Sequence, residues 1–328
     1  AIVIATSYPP SRLLLNIIID SGVMFGKSTP FVPTKIAVAE SGLMYVVGEG
    51  SNNGIITINK FGEFMGFVGI NNTTFSLRKY LYNFFVHDAS LANQKPSAPT
   101  NVTIGNNGNI FTTNVNINET FKRLNISGSN TLDGSTYYPT EEISDITISN
   151  DSYIYISTFD GHIYEYDNSG KLLFKFDTAD RGNLNILGLT AKIDSIEVDN
   201  NGNIYVLDST NNNIQMYQKT AFVSILHEAV DMYNDGKYLQ SKELWETVLK
   251  ENSNFALAHS ALGWSYFKED NYKAALECAM ISVQLVPFRV DFMVNLAECY
   301  FDMKDLKSEV EKTKDEAEDA KEAAEDSK

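Results

Sequence analysis

One unit recurs four times along the 328-residue chain: a short apolar run, a polar turn, then a second run rich in Ile, Tyr and Val. The copies are IAVAESGLMYVVGE (36–49), VTIGNNGNIFTTNV (102–115), ITISNDSYIYISTF (146–159) and IEVDNNGNIYVLDS (196–209). Asn107-Gly108 and Asn201-Gly202 suit the positive φ that a tight hairpin turn demands. A third strand follows each pair, and Phe61-Gly62 and Ser169-Gly170 mark turns into a fourth strand in the first and third copies. The second strands MYVV, IYIS and IYVL are apolar or aromatic at consecutive positions, so both of their faces need cover, at Tyr155 and Tyr205 alike.

Sheets stacked as the blades of a propeller give that cover, because each is sandwiched between its neighbours. Equivalent positions 36, 102, 146 and 196 lie 66, 44 and 50 residues apart, which is one blade per interval with an insertion in the first. Asp199, Gly202, Ile204, Tyr205, Val206 and Asp208 match the core of the NHL repeat, and the four copies resemble NHL-type propeller blades. The other copies depart from that pattern: Glu40 and Gly48 in the first, TTNVN after Phe111 in the second, and Ser152 in place of Gly in the third. Such propellers usually close with six blades, so the resemblance implies that about two blades, or ~90 residues, precede Ala1. The insertion, residues 73–100, carries Phe75, Tyr80, Leu81, Phe84 and Phe85 near helical spacing. It is expected as an amphipathic helix, either packed over a propeller face or serving as a lid or docking helix.

After Tyr217 the apolar period changes from 2 to 3.6. Leu262-Gly263, Tyr266, Ala275, Ala279, Ser282 and Pro287 occupy the pattern positions of a tetratricopeptide repeat, which the segment 255–287 resembles. Ala229, Tyr233, Tyr238, Ser241, Trp245 and Val248 repeat the pattern upstream, and a third copy begins at Val290, with Glu309 replacing the small crossing residue. The expected organisation is an NHL-like propeller over 1–218, an all-α TPR-like solenoid over 219–303, and a charged helix or tail over 304–328 that caps the solenoid. The combination resembles a group of bacterial propeller–TPR proteins, which implies an extracytoplasmic or cell-surface setting and an interaction role. The TPR resemblance implies a concave groove lined by His227, Asp231, Asn234, Ser260, Trp264, Phe267, Val294, Glu298 and Phe301. Trp264 and Phe267 are there either rigid anchors for a partner or packing residues. The groove has no Lys/Arg/Asn clamp for a terminal carboxylate, so an apolar or basic segment suits it better than an acidic tail.

The net charge is −16, with 13 basic and 20 acidic residues in 1–218 and 13 and 22 in 219–328. Acidity on both parts disfavours nucleic acid and anionic lipid as partners. No apolar run reaches the ~20 residues of a spanning helix. Cys278 and Cys299 exclude a disulfide framework and a cysteine zinc site, leaving one bridge or two buried thiols. His87, His162, His227 and His259 lie in different elements without metal-ligand spacing. Asp199-Asn201-Asn203 begins like a calcium loop, but Ile204 stands where Gly is required. No nucleophile elbow is present, and no cofactor is expected. These observations point to a non-enzymatic scaffold or adaptor with a protein in the helical groove and a protein or glycan on the propeller face. The alternative is a metal-dependent propeller hydrolase or lactonase.

Overall fold

The computed structural model describes residues 2–5, 14–17, 31–49, 53–69, 98–115, 119–132, 136–180, 186–287 and 289–304. The chain separates into two compact units, 1–218 and 219–328. The expected insertion helix (with His87) and the charged tail beyond residue 304 fall outside the described residues; Pro99 and Thr100, expected in the insertion, already belong to a strand.

In the first unit, β1 (Ile2–Ala5) pairs with β2 (Leu14–Ile17), and four antiparallel propeller-like blades follow in sequence order. Blade 1 is β3 (Val32–Val38), β4 (Met44–Glu49), β5 (Ile55–Ile58) and β6 (Phe64–Val68). Blade 2 is β7 (Pro99–Ile104), β8 (Ile110–Asn114) and β9 (Phe121–Leu124). Blade 3 is β10 (Ile143–Ile148), β11 (Ile154–Thr158), β12 (His162–Tyr166) and β13 (Leu172–Asp177). Blade 4 is β14 (Ile193–Val198), β15 (Ile204–Asp208) and β16 (Asn213–Tyr217). The four-stranded blades are the first and third, where the sequence carries the extra turn.

The Asn-rich turns have one repeated geometry. After the first strand of each blade, the amide of Gly42, Gly108, Ser152 or Gly202 donates to the carbonyl three residues back, at 2.8–3.0 Å. That residue is left-handed, with φ of 81°, 77°, 67° and 79°. This is a type I turn closed by a left-handed residue, so the preceding Asn needs no positive φ. The left-handed region suits Gly202; Ser152 holds it against the steric clash of its Cβ. The Asp199 Oδ1 accepts the amides of Asn201 and Asn203 (both 2.9 Å), and Asn59, Asn125 and Asp167 do the same work in the later turns of blades 1–3. Across blades, the Asn106 Nδ2 donates to the Asn150 carbonyl (3.1 Å) and the Asn150 Nδ2 to Asn200 Oδ1 (3.1 Å). Asn and Asp side chains therefore close several of these turns, and asparagines tie those of blades 2, 3 and 4 to one another.

The core lies between blades. Tyr45, Val47 and Ile55 of blade 1 meet Val102, Ile110 and Leu124 of blade 2, while Met44, Val46, Ile56 and Ile58 fill a cluster on the other face. Phe111 and Phe121 of blade 2 meet Ile154, Ile156, Tyr164 and Tyr166 of blade 3. Tyr155 is buried, and its hydroxyl donates to Glu165 Oε1 at 3.1 Å. Blade 4 corrects the expectation for Tyr205. Its second strand alternates: Ile204, Val206 and Asp208 are buried, while Tyr205 (36%) and Leu207 (41%) are open, as are Ile214 (67%) and Met216 (50%) on β16. The residue types repeat those of the buried strands, but among the described residues no further blade covers that face.

One carboxylate joins all four blades. A β-bulge interrupts the first strand of each blade, and the residues just after it are Lys35, Asn101, Asp145 and Ser195. Asp145 is buried and accepts from the Lys35 Nζ (2.8 Å), the Asn101 Nδ2, the Ser195 Oγ (2.5 Å), its own Ile146 amide (2.9 Å) and the Ile196 amide (3.2 Å). The bulges aim these side chains at one point.

The second unit is helical: α1 (Ala221–Asn234), α2 (Tyr238–Glu251), α3 (Ala256–Lys268), α4 (Tyr272–Leu285) and α5 (residues 290–304). Thr220 caps α1 through the Val223 amide, and Asn271 caps α4 through the Ala274 amide. Consecutive helices joined by short turns pack along one another, with Leu226, Ala229, Trp245, Val248, Ala258, Ala275 and Ala279 buried. A Cβ on Gly263 would stand 3.2 Å from the Ala275 carbonyl oxygen, so glycine permits the closest approach of α3 and α4. Cys278 and Cys299 are unbridged thiols, and burial pushes both up to about 11. No helix among the described residues is long and apolar enough to cross a membrane.

Asp145→Ala removes the acceptor for donors from three other blades, and is expected to cost the first unit about 2–4 kcal/mol. Both tryptophans lie in the second unit. Urea unfolding followed by far-ultraviolet circular dichroism should show the lowered β transition, with the tryptophan fluorescence transition unmoved.

Candidate functional site

At the end of the blades where first strands begin and second strands finish, a cavity of about 460 Å³ opens between blades 2 and 3. Its walls include Thr100, Asn114, Thr120, Glu141, Ser144 and Phe159. Thr100 shares a hydrogen bond with Thr113 (2.7 Å), and Ser144 with Ser157 (2.8 Å). These hydroxyls precede Asn101 and Asp145 along the strands, so the cavity sits one residue from the shared carboxylate. Its lining is mixed: the hydroxyls of Thr100, Thr120, Thr140 and Ser144 stand beside Val115, Ile143 and Phe159, which suits a ligand with both apolar and hydrogen-bonding parts.

Glu141 borders the cavity and also faces the turn Phe159-Asp160-Gly161-His162. Gly161 has φ of 94°, and a Cβ there would lie 2.8 Å from the Ala179 Cα, so only glycine fits. The Thr158 hydroxyl fixes the turn by donating to Asp160 (2.6 Å) and accepting the His162 amide (3.1 Å). The ligand atoms of Glu141, Asp160 and His162 lie within 4.8 Å of one another. The fold brings Glu141 from the strand entry to Asp160 and His162 on the turn, a meeting that no local spacing announces. Glu141 is already engaged, its Oε1 with the Lys175 ammonium (3.0 Å) and its Oε2 with the Tyr164 hydroxyl (2.8 Å). Burial works against its ionisation, but the hydrogen bonds from Lys175 and Tyr164 prevail and hold its carboxyl at about 2. Burial and the Glu141 carboxylate both drive the Tyr164 phenol upward.

In the helical unit the nine groove residues divide. His227 and Ser260 are buried, and Ser260 accepts from the Asn295 Nδ2 (2.9 Å) where α3 meets α5. Asp231, Asn234, Val294, Glu298 and Phe301 are exposed, Phe301 at 66%. Trp264 and Phe267 are half-buried and stack on each other, rings 4.9 Å apart and 6° from parallel. Tyr233 touches Tyr238 and Trp245, and Tyr238 touches Trp264, in a continuous aromatic series. Burial, Tyr238, and the charges of Asp291 and Glu298 raise the Tyr233 phenol. The polar residues converging on Asp145 escaped sequence reasoning. Their signal is a polar residue one position before each of Ile36, Val102, Ile146 and Ile196.

No family model matches the chain, and no curated protein matches it. Among solved structures it is similar to a protein of unknown function from Bacteroides caccae, at 12% identity and a TM-score of 0.39, over 58% of each chain. It is also similar to YCF48 bound to D1 peptide, at 7% identity and a TM-score of 0.37, over 64% of this chain and 54% of that one. The chain thus spans a little over half the length of either structure.

The depressed carboxyl of Glu141 favours the folded state above the ordinary carboxylate value of 4.5, and this contribution is lost as the pH falls from there toward 2. Glu141→Gln should flatten the pH dependence of first-unit stability between those limits. Acid titrations monitored by circular dichroism would measure the difference.

Proposed function

We propose that this chain is a non-enzymatic interaction scaffold or adaptor, an NHL-like propeller segment over 1–218 joined to a TPR-like solenoid over 219–303, with 304–328 as its polar cap. The helical groove holds a protein partner, and the blade unit offers a surface to a second protein or a glycan. The observation that carries this reading is the row Val290, Met293, Val294, Tyr300 and Phe301, all exposed along α5 at the spacing of one helix face. Contiguous apolar surface of this kind marks a place to be covered. Val294 and Phe301 belong to the groove the repeats outline, and Asp231, Asn234 and Glu298 supply its polar margin. Phe301 is the strongest anchor by size and exposure, worth about 2 kcal/mol if fully desolvated.

A second reading, a metal-dependent propeller hydrolase, is favoured by the proximity of Glu141, Asp160 and His162 to one another, with Glu141 on a cavity wall. Lys175 opposes it, since a cation on Glu141 would have to displace that ammonium.

Val294→Asp together with Phe301→Ala should reduce capture of the host partner at least tenfold in a pull-down, with the helical circular dichroism unchanged. Retention of the same proteins would remove the groove from the interaction. Calorimetric titration with zinc separates the second reading: saturable binding abolished by His162→Ala, accompanied by lactone turnover, would replace the adaptor with an enzyme.

A further inference from the structure

The partner's chemistry can be taken further, and this step rests on the groove reading above. Beyond their mutual stack, Trp264 and Phe267 share a cation. The Lys268 ammonium lies 4.7 Å from the Trp264 ring centre, 5.6 Å from Phe267 and 6.0 Å from Tyr238. Three ring π-systems, contributed by the start of α2 and the end of α3, therefore converge on one positive charge. Tyr272, at the start of α4, closes the edge of Phe267 at 5.5 Å.

Lys242 is held differently. Its ammonium sits 4.3 Å over Tyr266, but Glu269 also holds it at 2.7 Å, so it is fixed by an ion pair. Lys268 is exposed and makes no ion pair among the described residues. Only the rings retain it, on a flexible stem that water can reach. Cation–π attraction is weak at such a site and stronger for a cation that has shed its water, as one does beneath a bound protein. Guanidinium adds planar stacking that an ammonium lacks. The surroundings favour positive charge as well: the described helical residues carry 12 acidic against 8 basic side chains, and the charges of Asp291 and Glu298 raise the Tyr233 phenol at the other end of the aromatic series.

We propose that Tyr238, Trp264 and Phe267 form a cation-accepting surface that docks an arginine or lysine side chain from a basic protein segment, with Lys268 as an internal occupant that yields to it. The partner is thus a segment carrying positive charge next to apolar residues, the latter meeting the exposed face of α5.

Because the chain has two tryptophans, 5-fluorotryptophan labelling of the full-length protein gives one resonance for Trp264 and one for buried Trp245. Titration with a capped tetra-arginine peptide should shift the Trp264 resonance saturably and leave Trp245 in place, while a capped tetra-glutamate peptide shifts neither. Lys268→Gln should tighten binding of the arginine peptide by about threefold to tenfold, and Tyr238→Leu should weaken it by a similar factor. Absence of a saturable shift, or identical affinities in the wild type, Lys268→Gln and Tyr238→Leu, would overturn the proposal. So would binding of tetramethylammonium without binding of the arginine peptide, since the surface would then serve a small quaternary amine. The pull-down keeps the two readings apart. If Val294→Asp with Phe301→Ala loses the host partner while Tyr238→Leu and Lys268→Gln retain it at wild-type levels, the groove stands and the cation surface falls. If the arginine peptide binds as expected but the pull-down is unaffected by the α5 substitutions, the reverse holds.

Discussion

Burying a carboxylate is tolerable only when every lone pair finds a donor, and that requirement organises the blade unit around Asp145. No single blade can meet it. Lys35 comes from blade 1, Asn101 from blade 2, and Ser195 with the Ile196 amide from blade 4. The bulges in the first strands are what make the convergence possible, since a regular strand would turn alternate side chains toward the neighbouring sheets. The charge therefore sets both the register of each first strand and the order of the blades around it. Apolar contacts between blades add cohesion, but Ile and Val would pack against one another in several registers; a buried ion with a defined donor set does not permit that latitude.

The helical unit solves a different problem. Its described residues include no comparable ionic centre, and their closeness of approach is set by what is missing from side chains. Gly263, Ala275 and Ala279 let α3 and α4 come together, and Ser241, Ser265 and Ser282 bury hydroxyls that return their protons to nearby backbone carbonyls. Large rings then fill the wider spaces, from Tyr233 and Trp245 through Tyr238 to Trp264 and Phe267. Where that series reaches solvent it meets Lys268, and Val290, Met293, Val294, Tyr300 and Phe301 on α5 are exposed. Buried and solvent-facing rings thus belong to one aromatic series, and burial alone separates them.

Local pattern made the blades and helices legible because the relevant signals lie within a few residues of one another. The turn residues at 42, 108, 152 and 202, the extra hairpins after Asn59 and Asp167, and the small residues at 263 and 275 are all short-range marks. Tyr205 was misjudged for the opposite reason: its own strand is indistinguishable from that of Tyr155, and the difference lies in what stands beyond the sheet. Asp145 was hidden because its partners in the other blades are 44 to 110 residues away. The approach of Glu141 to His162 was hidden likewise, one arriving on a strand entry and the other on a turn. Of the nine residues expected to line a helical groove, His227 and Ser260 are buried, because spacing does not decide which side of a helix faces water.

The asparagine rungs at positions 106, 150 and 200 have an effect that reaches the far end of the sheets. Lashed side by side, those turns form a stiff polar hem on which longer or altered loops would forfeit contacts with both neighbours. Variation is freer at the other rim, where the segments around Glu141 and Asp160 border open space. A lineage built on this scaffold would accordingly diversify its chemistry there while keeping the asparagine-stitched rim nearly constant.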